Sequence, residues 1–224
     1  MLWCCLARAV AFAGTASPAD AHLIEGVEQA QMAREEGVGA YSVTERYTLR
    51  NTRFNESAEM TVEVTYKKGL GKTYRVLSRK GPSFLQNTVF DRVLKEEAAM
   101  SHGTERLEAL VTPANYQMKW LGEQTLEGRK CEIVGLEPRR KSPHLLRGKA
   151  WVDATSHNLI RIEGKPTASL SFWASNPQVI REYMEIGGFS FARRSHALSQ
   201  SFLLGHSELV VEYSDYQVEP AGAK

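Results

Sequence analysis

The sequence predicts a single α+β domain, a strongly curved antiparallel sheet of about eleven strands accompanied by two main helices. Three observations predict it. Stretches that alternate apolar and polar residues recur about every ten positions from Tyr41 to Tyr216, most of the connections between them are short, and two segments change to helical spacing. So many strands in one sheet accumulate twist and must curl. Alternation alone leaves open whether the sheet closes or stays a half-barrel.

Residues 1–21 read as a secretory signal. Met1 to Ala13 is apolar apart from Arg8, and small-residue cleavage patterns follow at Ala11-Phe12-Ala13 and Ala19-Asp20-Ala21. No Lys or Arg precedes the apolar stretch, so the basic segment usual ahead of it is missing. Residues 22–224 form the domain. Leu23, Ile24, Val27, Ala30 and Ala33 recur at roughly helical spacing before Gly37 and Gly39 stop the helix. The period then falls to two. Tyr41, Val43, Tyr47 and Leu49 alternate with polar residues, and Met60, Val62, Val64 and Tyr66 repeat the pattern; Gly69-Leu70-Gly71 turns the chain into Thr73 to Arg79. Glu45 interrupts the apolar face of its strand, which places it either at the sheet's edge or at a polar contact in a cavity.

After Gly81-Pro82-Ser83 the residues Phe84, Leu85, Val89, Val93, Leu94, Ala98 and Ala99 fall on or beside one helical face, ended by Gly103. Beyond Pro113 eight short strands are expected: Tyr116 to Leu121, Lys130 to Leu136, Gly148 to Asp153, Leu159 to Glu163, Ala168 to Ala174, Val179 to Ile186, Phe189 to Leu198 and Glu208 to Tyr216. No fixed-period repeat or linker divides the chain.

Composition excludes several functions. Hydrophobic residues make up 42% of the 224 and charged residues 24%, and Lys+Arg 28 against Asp+Glu 26 leave a formal net charge of +2, so no nucleic-acid partner is expected. No apolar run approaches the ~20 residues of a membrane-spanning helix. If the signal is removed, Cys131 is the only thiol left; it reads as a small buried hydrophobe.

The six histidines are scattered without metal-ligand spacing, and no nucleophile elbow, dinucleotide fingerprint or phosphate loop is present. Neither cofactor nor metal is expected. The run Arg139, Arg140, Lys141, Arg147, Lys149 carries five positive charges without an acidic residue, and is either a solvated hairpin or a surface for an acidic partner or lipid headgroup. A strongly curved sheet encloses more volume than two helices fill, and an unfilled apolar concavity is a lipid pocket.

Gly128-Arg129-Lys130-Cys131-Glu132-Ile133-Val134-Gly135-Leu136-Glu137-Pro138, then Gly148-Lys149-Ala150-Trp151-Val152-Asp153, then Leu159-Ile160-Arg161-Ile162-Glu163-Gly164 resemble the middle of the LolA/LolB-like superfamily of bacterial lipoprotein-sorting proteins. Leu209-Val210-Val211-Glu212-Tyr213-Ser214-Asp215-Tyr216 resembles its closing strand. The resemblance implies a half-open barrel whose concave apolar face, lidded by helices, holds acyl chains of lipoproteins or lipids. It thereby implies a non-enzymatic, soluble periplasmic carrier or sensor, with Met60, Val62, Val64, Tyr66, Phe172 and Phe191 facing the cavity and Phe84, Phe90 and Leu94 on the lid. For the gating arginine of the best-known members, Arg46, Arg50 and Arg75 are candidates with no motif to separate them. The alternatives are an envelope interaction module working through Arg139 to Lys149, and an enzyme, for instance a hydrolase, with a site assembled across strands.

Overall fold

Period-two alternation becomes ten antiparallel strands in a computed structural model that describes residues 18–52, 56–168, 177–201 and 205–222. The expected signal through residue 17 lies outside the described residues. A helix, α1 (Pro18–Gly37), leads into β1 (Val38–Asn51), β2 (Glu56–Lys67) and β3 (Gly71–Lys80). A broken helix follows, made of α2 (Ser83–Leu85), a π-helical turn (Gln86–Phe90) and α3 (Asp91–Ala99), and then a 3₁₀ turn at Leu107–Ala109. The remaining strands are β4 (Tyr116–Leu126), β5 (Arg129–Pro138), β6 (Leu146–Asp153), β7 (Leu159–Pro166), β8 (Gln178–Ile186), β9 (Phe189–Ser201) and β10 (Gly205–Pro220).

The sheet order is β3-β2-β1-β10-β9-β8-β7-β6-β5-β4, with every neighbouring pair antiparallel. The last strand therefore pairs with the first, and β3 and β4 remain as free edges. The expected half-open barrel is the architecture present, with ten strands among the described residues where about eleven were expected. Among the described residues β7 pairs directly with β8, Gly164 opposite Val179. The strand anticipated at Ala168 to Ala174 lies, beyond Ala168, outside the described residues, Phe172 included; Thr167 and Ala168 form a bend.

Residues 81–115, with α2 and α3, connect the two edge strands across the open side. One close approach fixes a residue type: Gly148 and Gly164 are register partners, and a Cβ at Gly148 would stand 2.0 Å from the Glu163 carbonyl oxygen.

Apolar residues separate into two packed clusters. One joins β1 and β2 to the broken helix and includes Val43, Tyr47, Met60, Val62, Val64, Phe90, Leu94 and Phe191; the other joins Leu23 and Val27 of α1 to β4–β8 and includes Tyr116, Val134, Ala150, Val152 and Ile162. The buried stripe of α1 runs Leu23, Val27, Gln31, Glu35, one residue per turn, apolar at its start and polar at its end.

Candidate functional site

Between the two clusters the inner face of the sheet encloses a cavity of about 450 Å³. Tyr41 and Val43 of β1 and Val89 and Val93 of the broken helix line it from one side; Tyr116, Leu146, Leu159, Ile162 and Val179 line it from the other. Leu209, Val211, Tyr213 and Tyr216 of β10 line it between them, and the polar end of α1, through Gln31, Arg34 and Glu35, completes the wall. Tyr41 stacks on Tyr66 with centroids 5.0 Å apart, and Phe191 packs on Tyr216 at 5.2 Å.

Five cationic side chains and four carboxylates also reach this cavity. Glu35 ties α1 to the segment after α3 by accepting from Arg34 at 3.0 Å and forming an ion pair with Arg106. Those two guanidiniums lie over the rings of Phe191 and Tyr66, at 4.9 and 5.4 Å. Lys72 donates to Glu97 at 3.0 Å. Burial alone would lower the Lys72 pKa, but Glu97, Tyr41 and Glu45 together hold it well above its ordinary value, so it stays charged. Arg92 pairs with Glu96 one turn along α3 at 3.6 Å.

Glu45 is almost fully buried, and the Tyr47 hydroxyl donates to it. Burial first, and then the Glu97 charge, push its pKa from 4.5 to about 7, against the opposing pull of Lys72 and the Tyr47 hydrogen bond. Burial above all raises the pKa values of Tyr47, Tyr116, Tyr183, Tyr213 and Tyr216, so each is a neutral donor at physiological pH. Burial lowers the His144 pKa, which favours the uncharged ring. Of the two placements open for Glu45, the polar contact in a cavity is the one that occurs.

The anticipated cavity residues divide. Tyr66 lines the cavity, and its hydroxyl finds no hydrogen-bond partner among the described residues. Met60, Val62, Val64, Phe90, Leu94 and Phe191 are close-packed in the first cluster and do not line the cavity. Alternation assigns each to the inner face, where packed and cavity-facing positions look alike. Phe84 is 53% exposed. The same turn buries Leu85 and Gln86 instead, and the π-helical turn, in which the Asp91 amide bonds to the Gln86 carbonyl, follows it.

The basic run is exposed, but three of its five members are engaged within the chain. Arg139 donates to the Pro113 carbonyl at 2.7 Å, and Arg140 donates to Asn115 and to the Glu108 carbonyl, both at 2.8 Å. Arg147 forks onto Glu137. The run lacks acidic residues in sequence, yet the hairpin and the 3₁₀ turn bring carboxylates to it; Lys141 and Lys149 complete it on the surface. Arg46, Arg50 and Arg75 are also exposed, Arg46 pairing with Glu59 and Arg75 with Glu63.

The cavity cations Arg34, Lys72, Arg92, Arg106 and Arg181 escape sequence reasoning. A signal for Arg181 exists, since it interrupts the inner alternation Val179, Arg181, Tyr183. Cys131 is fully buried and burial raises its thiol pKa, the opposite of an activated nucleophile. Among the described residues no group of three or more His, Cys, Asp or Glu side chains is placed to hold a metal, and no helix is long and apolar enough to cross a membrane.

No family model and no curated protein matches the chain. Solved structures are similar to it in fold. One is described as an outer membrane lipoprotein-sorting protein domain from Vibrio parahaemolyticus, 13% identical, covering 88% of this chain and 92% of that one with a TM-score of 0.49. A LolA superfamily protein from Nitrosomonas europaea is 10% identical, with 89% and 93% coverage and a TM-score of 0.49. A DUF1329 family protein from Desulfovibrio piger is 11% identical, with 89% and 94% coverage and a TM-score of 0.44.

Proposed function

We propose that this protein is an exported, non-enzymatic carrier or sensor that binds the acyl part of a lipid or lipoprotein in the cavity between its two packed clusters. One observation carries the reading: side chains from β1, β7, β8, β9, β10 and the helices converge on a common cavity of about 450 Å³, the size range of ligand sites. Burying an acyl chain there gains roughly 0.8 kcal/mol per CH₂ and needs no catalytic group. Export rests on the signal-like residues 1–21, and the periplasm is the compartment we assign.

The test is mass spectrometry of an organic extract from protein purified natively from the periplasm, beside an Ala197→Phe variant. Ala197 lines the cavity and is partly buried, so the larger ring fills cavity space. Stoichiometric lipid or acylated peptide in the wild type, and its loss in the folded variant, are expected. An empty wild-type protein that is correctly exported overturns the reading. It would favour the envelope interaction module, tested by pull-down after charge reversal at Lys141 and Lys149.

A further inference from the structure

The charged groups of the cavity are not evenly matched, and the mismatch has a location. Glu35 is taken by Arg34 and Arg106, Glu97 by Lys72 and Glu96 by Arg92, while Glu45 accepts from Tyr47. Arg181 forms no ion pair with any carboxylate among the described residues; it lines the cavity together with Tyr183. It lies in a cross-strand row, Val211, Ser195, Arg181, Ile162, Ala150, whose Val211, Ile162 and Ala150 are buried. Arg181 is the exposed member of that row, and its guanidinium borders the cavity without a contact ion pair among the described residues.

Among the described residues, hydrogen-bonding capacity along the wall is also incompletely met, at Nε of Arg34 and of Arg106, at one Glu35 oxygen and at two hydroxyls. The hydroxyls of Tyr66 and Ser199, residues only 5% and 8% exposed, line the same cavity with no hydrogen-bond partner among the described residues. An occupant made wholly of hydrocarbon would leave such groups unsatisfied.

We infer, on the basis of the lipid-binding reading above, that the occupant is a single-chain anionic amphiphile whose carboxylate or phosphate sits on Arg181 and whose tail lies along the apolar inner face. A volume of about 450 Å³ stands toward the lower end of the ~300–1,000 Å³ of single-ligand pockets, which fits one chain better than a multiply acylated anchor. A guanidinium presents a planar fork of donors matched to either headgroup, and charge-assisted bonds of this kind are the strong ones. Glu45 accepts from the Tyr47 hydroxyl and Glu97 pairs with Lys72, so the Glu97 charge reaches Arg181 only at a distance.

The test is calorimetric titration of the whole mature protein, below each critical micelle concentration, with palmitate, 1-palmitoyl-lysophosphatidate and monopalmitoylglycerol. One anionic molecule should bind per chain, at least about tenfold tighter than the neutral ester. Arg181→Met should weaken the anions by about tenfold or more and leave the neutral ester within about twofold. If that variant fails to fold, Ser195→Asp serves instead, since Ser195 is the register partner of Arg181 and a carboxylate there occupies the guanidinium. Comparing palmitate with lysophosphatidate identifies which headgroup is preferred. Equal binding of all three ligands, or anion binding untouched by both variants, overturns this inference while leaving lipid binding intact. Binding of none of the three overturns the lipid reading together with it.

Discussion

Replacing Glu45 with Gln should make the protein more stable at alkaline pH and remove much of its pH dependence between 4 and 8. The Glu45 carboxyl is a raised acid, moved from an ordinary 4.5 to about 7 chiefly by burial. Between those two values the folded chain holds a proton that the unfolded chain has released. Stability therefore falls as pH rises through that window, and it levels off above about 7. The interval from 4.5 to about 7, at ~1.36 kcal/mol per pKa unit, amounts to about 3 kcal/mol of native-state cost, fully present by about pH 8 and nearly absent at pH 4.

Gln keeps the acceptor that Tyr47 uses and cannot ionise, and Lys72 keeps Glu97 as its partner. Urea unfolding of wild type and Glu45→Gln at intervals from pH 4 to 9 reads the effect as a difference, in which the titration of every other group cancels. The variant should overtake the wild type progressively, by about 3 kcal/mol at pH 8. Curves that stay parallel across the range would refute the argument, as would a wild type that gains on the variant with rising pH.

Packed and cavity-lining positions should separate in stability measurements. Val64→Glu places a carboxylate in the first cluster and should cost about 3–5 kcal/mol, whereas Leu209→Ala, at the cavity wall, should cost about 1 kcal/mol; thermal scans of the two variants check this. A stable Val64→Glu would mean that Val64 faces open space. Gly148→Ala forces a methyl against the Glu163 carbonyl and should lose more than ~2 kcal/mol in denaturant unfolding, with early amide exchange in β6 and β7. Arg140→Ala releases Asn115 and the Glu108 carbonyl from the hairpin; exchange over residues 107–115 should quicken about tenfold while global stability drops by less than ~1 kcal/mol. Unchanged exchange there would show that Arg140 does not hold the segment.

Much of this architecture was legible because strands with one buried face must alternate. β1, β2 and β10 declare themselves through Tyr41, Val43, Tyr47 and Leu49, through Met60 to Tyr66, and through Leu209 to Tyr213. Alternation does not state which strands pair, so the placement of β10 between β1 and β9 was invisible. It also says nothing of depth: Met60 and Leu209 both point inward, and one is sealed in side chains while the other borders the cavity. In α1 the apolar spacing led past Gln31 and Glu35, since polar residues on a buried stripe carry no hydrophobic signal. Phe84 was misplaced because it stands beside Leu85, and apolar character alone does not say which of two adjacent residues in a short turn points inward.

The informative residues for the site were the polar ones at inward positions. Arg181 on β8, Ser195 and Ser199 on β9, and Ser207 on β10 occupy places where β2, β5 and β6 carry Met60, Val134 and Ala150. A close-packed core would bury these groups at a cost of roughly 1–3 kcal/mol for each one left unsatisfied. They are tolerable where neighbouring residues or a cavity meet their bonding needs: Asn51 donates to Ser207 at 2.9 Å, and Arg181 is left facing open space. Polar residues at inward positions of β8, β9 and β10, joined by Glu45 of β1 and Lys72 of β3, thus mark where the sheet stops packing and begins to enclose, which is why Arg181 falls on the cavity wall.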